Sequence, residues 1–209
     1  MIDKNAPGLS CQNISNLNIA PGLSCAVLFA RTDSIYKSFA ECDVFDKERN
    51  ALSYQGQLPV ICHPPCRAWG RLKGLANPEP CEKDLARFAI KKVRENGGIL
   101  EHPAFSDLWE DQNLPINPGT DQYGGFTVSI DQNWFGHKAK KPTWLYIVGI
   151  SPKELPPFLL NFNCIDYTVG ASAARSWTYK KECPKKDREA TPIKLASYQI
   201  GRASCRERV

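Results

Sequence analysis

Leu58-Pro59-Val60-Ile61-Cys62-His63-Pro64-Pro65-Cys66 is the stretch that decides how this chain folds. Its apolar half, residues 58–62, reads as a short buried strand, and the paired prolines fix the backbone φ of the chain as it leaves the sheet. After a loop, residues 82–95 place Leu85, Phe88, Ala89 and Val93 on one helical face and charges on the other. Asn96-Gly97-Gly98 stops that helix, and Ile99-Leu100-Glu101 resumes as a strand that ends in a carboxylate. Strand, helix and strand in this order predict two parallel neighbours joined by a right-handed crossover. Cys66 and Glu101 are then expected to open onto one crevice at the C-terminal ends of those strands.

Working outward, residues 26–30 form a short apolar run of the kind buried in parallel sheets. A loop at 31–34, a short helix at 35–40 and a strand at 42–46 ending in Asp46 follow. Downstream, residues 103–125 are rich in Pro, Gly, Asn and Asp and read as a long loop, and strands are predicted at 126–130 and 144–148. Residues 152–186 carry Pro-rich turns and paired lysines and read as a surface excursion, while Thr191-Pro192 opens a helix that the end of the chain soon interrupts. The fold class expected is α/β, a single domain with a Rossmann-like, mostly parallel sheet flanked by helices. Its core spans residues 26–150, preceded by a flexible extension at 1–25 and followed by the excursion and a truncated C-terminal helix at 151–199.

Two segments stand apart. Ala6-Pro7-Gly8-Leu9-Ser10-Cys11 recurs as Ala20-Pro21-Gly22-Leu23-Ser24-Cys25, too few copies for a solenoid. Residues 200–209, Ile-Gly-Arg-Ala-Ser-Cys-Arg-Glu-Arg-Val, read as the translation of a sequencing-adapter oligonucleotide and are set aside from the fold reasoning.

With 209 residues the chain suits one domain, and 42% hydrophobic with 23% charged residues excludes a mostly disordered chain. The net charge is +5, or +3 without the last ten residues, which hold three arginines and one glutamate. So mild a balance neither demands nor excludes a polyanionic partner. No run approaches the roughly 18 apolar residues of a membrane span, and the polar start lacks the pattern of a secretory signal. The chain is therefore expected in the cytoplasm, with its nine cysteines as reduced thiols. Cys62 and Cys66 with His63 suggest zinc ligands, but no second ligand pair follows at finger-like spacing, so no metal is expected.

Cys66 sits just past a buried strand behind two residues of fixed φ, which suits a nucleophile, and Arg67 and His63 are positioned to favour the thiolate. A tight turn around a structural cysteine explains the same motif. Glu101, if buried near a thiol, is expected to have a raised pKa and to give up a proton; a surface carboxylate is its plain alternative.

Together these pieces resemble the DNA cytosine-5 methyltransferases. In that family a strand leads to Pro-Pro-Cys and the next strand ends in Glu-Asn-Val, matched here by Pro64-Pro65-Cys66 and Glu101-His102-Pro103. Phe135-Gly136, the segment 139–143, the strand 145–149 and Arg188-Glu189-Ala190-Thr191-Pro192 follow in the family's order. The chain is most similar to a short phage- or prophage-type member. The resemblance implies a covalent mechanism on a cytosine flipped out of the stack. In it Cys66 adds to C6, Glu101 assists at N3, and S-adenosylmethionine supplies a methyl group to C5. It also implies Phe29, Asp46 and Pro64 as cofactor-binding residues, with Arg67, Lys138, Lys140 and Lys141 as contacts to DNA, or else to RNA or a free nucleotide. A solvated basic loop accounts for the lysines equally well.

The departures are specific. Phe29-Ala30-Arg31-Thr32-Asp33 lacks the family's Phe-x-Gly-x-Gly glycines, Ala139, Lys141 and Thr143 replace a Gln and two Arg, and residues 150–187 are short for a target-recognition domain. Three readings follow: a minimal methyltransferase, a methyltransferase-like nucleic-acid-binding or decoy protein without cofactor, and an unrelated cysteine-dependent enzyme acting on nucleotides.

Overall fold

The computed structural model of the protein describes residues 22–116, 118–155, 165, 167–169 and 181–204. The first copy of the repeat and the spacer therefore lie outside the described residues, as does most of the excursion, whereas residues 22–25 of the second copy are described and Cys25 opens the first strand. Six strands build one sheet: β1 (Cys25–Leu28), β2 (Cys42–Phe45), β3 (Val60–Cys62), β4 (Gly98–Pro103), β5 (Phe126–Asp131) and β6 (Pro142–Val148), in the order β2-β1-β3-β4-β6-β5. The first four are parallel, β6 pairs antiparallel with β4, and β5 pairs antiparallel with β6. Only β6 is reversed, so the architecture is α/β with a mostly parallel sheet. The predicted strands are all present, shifted by one or two residues.

Helices cover both faces, which is why β1 and β3 are buried along their whole length rather than alternating. On one face, α1 (Glu82–Asn96) lays Ala86, Ala89, Ile90 and Val93 against Ala26, Leu28, Val60, Cys62 and Leu100. On the other, α4 (Ile193–Ala203) packs Ala196, Ile200 and Ala203 with Cys25, Val27 and Ile61, and Leu195 with Ile99, Leu145 and Ile147. Contrary to the sequence reading, α4 does not stop at the start of the last ten residues. Ile200 and Ala203 are apolar at helical spacing, and burial under the sheet carries the helix through them.

The turn between α1 and β4 is steric. Gly98 has φ +118°, and a Cβ there would fall on the Val60 carbonyl oxygen of the neighbouring strand. The Asn96 amide donates to the carbonyls of Gly56 (2.9 Å) and Leu58 (3.0 Å), which ties the helix end to the chain entering β3.

Two predicted local elements come out differently. Residues 35–40 form only a 3-10 turn, Ile35–Ser38, because Phe39 is already extended toward β2. The long loop contains a helical turn, α2 (Leu108–Asp111), which sequence polarity hides because its Trp109 and Leu108 point into the core. Beyond β6, β7 (Tyr167–Thr168) and β8 (Lys181–Glu182) pair parallel, and α3 (Lys185–Glu189) leads to α4.

Candidate functional site

Cys62 pairs with Leu100 across the parallel β3 and β4, so the next residues on, His63 and Glu101, emerge side by side. Alternation puts Glu101 on the α4 face. There its carboxylate, 9% exposed, accepts Gln132 Nε2 on Oε1 (2.6 Å) and Gln199 Nε2 on Oε2 (2.9 Å), with His63 Nδ1 3.4 Å from Oε2. Gln132 also donates to Thr143 Oγ1 (3.1 Å), and the Tyr36 hydroxyl donates to Gln199 Oε1. Four elements thus converge on one acid. Two polar atoms at this cluster, His63 Nε2 and Gln132 Oε1, are buried without a hydrogen-bond partner. Such atoms are costly unless a bound polar group satisfies them.

Burial pushes the Glu101 pKa up, but the His63 and Lys141 charges and the two amides outweigh it and hold the carboxyl below its ordinary range. The expected raised pKa is therefore corrected: Glu101 rests as a carboxylate. Burial also pushes the His63 pKa down, against the pull of Glu101, with Lys141 adding to the lowering.

Cys66 leaves the same end of the sheet. Its carbonyl accepts the N–H groups of Trp69 (3.1 Å) and Gly70 (2.8 Å), closing a turn immediately after the paired prolines. Burial raises the thiol's pKa, with Glu82 and Glu189 adding to the effect and Lys141 opposing it. The expectation that Arg67 and His63 promote thiolate is corrected as well. Arg67 instead turns to the buried Glu82, with Nη2 to Oε2 at 2.6 Å, so its charge is neutralised there. Among the described residues, Lys141 is a cation whose charge acts on Cys66, His63 and Glu101 together.

His102, next to Glu101, is 1% exposed and lies 6.3 Å from the Trp109 ring, with neither ring nitrogen in good hydrogen-bonding geometry. Burial brings its pKa down to about 4, while the Pro65 carbonyl and Glu101 pull weakly the other way.

The residues implied for the cofactor are arranged less openly. Phe29, directly after β1, has φ +62°, a left-handed conformation normally left to glycine. Arg31 bridges Asp33 (2.8 Å) and Glu189 (3.1 Å) across the following loop. Asp46 is buried at the end of β2; its Oδ1 accepts the N–H groups of Glu48 (3.0 Å) and Arg49 (3.2 Å), and its Oδ2 accepts Lys37 Nζ (2.6 Å). The Lys37 ammonium beside it, with those N–H groups, holds its carboxyl below the usual range. Pro64 is buried. Among the residues implied for phosphate contact, Lys138 pairs with Asp187 (2.8 Å), whereas Lys140 and Lys141 make no ion pair among the described residues.

Gln132, Gln199, Tyr36 and Thr143 were not singled out from sequence. Each is an ordinary polar residue until the fold brings it to the Glu101 cluster. No group of three metal-ligating side chains occurs among the described residues, and no described helix is long and apolar enough to cross a membrane. Comparison with known proteins finds no matching family model, no matching curated protein and no matching solved structure.

Proposed function

We propose that this chain is a methyltransferase-like nucleic-acid-binding protein that keeps the base-handling half of a DNA cytosine-5 methyltransferase on a Rossmann-like core. The observation that carries this reading is the Glu101 cluster. A buried carboxylate lies beside a partner-seeking His63 Nε2 and Gln132 Oε1 at the C-terminal end of parallel strands, under one lysine field that also reaches Cys66. An ionised Glu101 accepts a hydrogen bond from an exocyclic amine, and the unsatisfied atoms offer further contacts to the edge of an extruded base.

The residues present do not fit S-adenosylmethionine. Asp46 spends both oxygens on Lys37 and the backbone, and the loop after β1 offers a bulky Phe29 and an Arg31 bridge where close approach to a ligand calls for glycine.

The second reading, an active cytosine-5 methyltransferase, is favoured by the placement of Cys66 and Glu101 at the same sheet end. It requires one proton to pass from the Cys66 thiol to Glu101 when the base binds, which turns a thiol and a carboxylate into a thiolate and an acid able to protonate N3. Calorimetry with S-adenosylmethionine, and duplex DNA carrying 5-fluorocytosine incubated with the chain and that cofactor, separate the two readings. DNA binding without cofactor heat or a persistent adduct supports the first. Cofactor binding with an adduct that Cys66→Ser abolishes establishes the second, and absence of any DNA binding rejects both.

A further inference from the structure

Phe105 is a bulky aromatic held where neither sterics nor hydrophobicity favours it. It follows β4 by two residues, has φ +63°, and is 60% exposed. A left-handed conformation costs a non-glycine residue free energy, and such strain persists only where the surroundings impose it. Here the surroundings are rigid. The Phe105 ring lies 5.1 Å from Trp144, which lies 5.2 Å from Trp109, and the Trp109 indole donates to Thr127 Oγ1 (2.8 Å). Both tryptophans are buried, so the stack fixes Phe105 from behind and leaves it open in front.

The platform is tied to the turn that follows Cys66. The N–H of Asp107 donates to the Trp69 carbonyl (3.1 Å), and Trp69 belongs to the turn that Cys66 closes. Arg71, from the same segment, sets its guanidinium 5.8 Å from the centre of the Phe105 ring and makes no ion pair among the described residues. Arg67 and Lys73 beside it, by contrast, are paired with Glu82 and Asp107. An exposed, buttressed aromatic ring with a guanidinium over it that makes no ion pair among the described residues is an arrangement suited to single-stranded nucleic acid: the ring takes a base, and the long, mobile cation swings out to a phosphate.

We propose that Phe105 and Arg71 form a stacking site for an unpaired nucleobase on the α1 side of the sheet. This rests on the nucleic-acid reading above and adds a second contact to it. The site is sequence-tolerant, since every base offers a π face, and it favours single strands, whose bases are free to stack on protein.

The test is fluorescence anisotropy of the full chain with a fluorescein-labelled single-stranded 12-mer of thymidine, across a salt series. Phe105→Ala is expected to weaken binding about 10-fold, the scale of one lost base–aromatic stack, while Phe105→Trp retains it. Arg71→Ala is expected to weaken binding and to flatten the dependence on log salt by about 0.7, as loss of one phosphate contact requires. A 12-mer with 5-iodouracil at each position in turn is expected to photocrosslink to Phe105, and the circular dichroism of each variant checks that it folds. Wild-type affinity in Phe105→Ala, with the wild-type chain binding the oligonucleotide, overturns this proposal and leaves the nucleic-acid reading standing. A wild-type chain that binds neither the 12-mer nor duplex DNA overturns both.

Discussion

Cys66 and Glu101 rest in protonation states opposite to those that covalent catalysis needs, and the cause is local. Desolvation acts on both side chains, but only Glu101 has two amides, a histidine and Lys141 to stabilise its charge; Cys66 has Lys141 and a backbone N–H against two glutamates. Lys141 is therefore expected to control Cys66 reactivity. Lys141→Ala should slow carboxamidomethylation of Cys66 by iodoacetamide at pH 8 by about 2- to 10-fold, because loss of the ammonium leaves less of the thiol as thiolate. Peptide mass spectrometry resolves Cys66 from the other cysteines, and an unchanged rate would remove Lys141 from the site. Glu101→Gln should destabilise the fold by about 1–3 kcal/mol in urea unfolding, because a buried amide offers one acceptor where the carboxylate met three donors. Neither glutamine partner was legible in sequence, since no spacing rule connects residue 199 to residue 101.

At the scale of elements, the β3–α1–β4 unit was legible because periodicity, a double-glycine stop and the strand ends all agree. Its tightest point is Gly98, where backbone lies on backbone. Gly98→Ala should cost about 3 kcal/mol in urea unfolding, since both the positive φ and the Val60 carbonyl oppose a Cβ. Helix α4 continues past residue 199 because Ile200 and Ala203 extend its apolar face. Ile200 is buried with Val27 and Ile61, so Ile200→Ala should lower stability by about 3 kcal/mol, a cavity cost that thermal unfolding of the full chain measures. A loss below about 0.5 kcal/mol would mean that the helix end does not pack on the sheet.

Over the whole molecule, pH acts through the buried histidines. His102 titrates near 4 when folded and near 6.5 when unfolded, so the unfolded chain binds the extra proton and stability falls as pH drops through that window. His63 shifts in the same direction. Between pH 7 and pH 5 the His102 contribution alone is about 2 kcal/mol. Urea midpoints for His102→Gln should show that part of the pH slope gone, and an identical slope would exclude His102 as its source. Glu101, whose pKa is depressed, contributes stability that is present above about pH 4.3 and is lost as pH falls further. Stability should therefore decline over two pH windows, the histidine one first.

The sequence by itself determined the elements: apolar runs, a helical period and glycine stops fix strands and helices locally, and the prolines fix where Cys66 leaves its strand. Only the tertiary structure decided that β6 enters the sheet reversed, that Gln132 and Gln199 close on Glu101, and that Arg67 abandons the thiol for Glu82. The reason is range. Dihedral preference and hydrophobic period act between near neighbours, whereas a pKa or a hydrogen-bond partner depends on which distant side chains the packed core brings within a few ångströms.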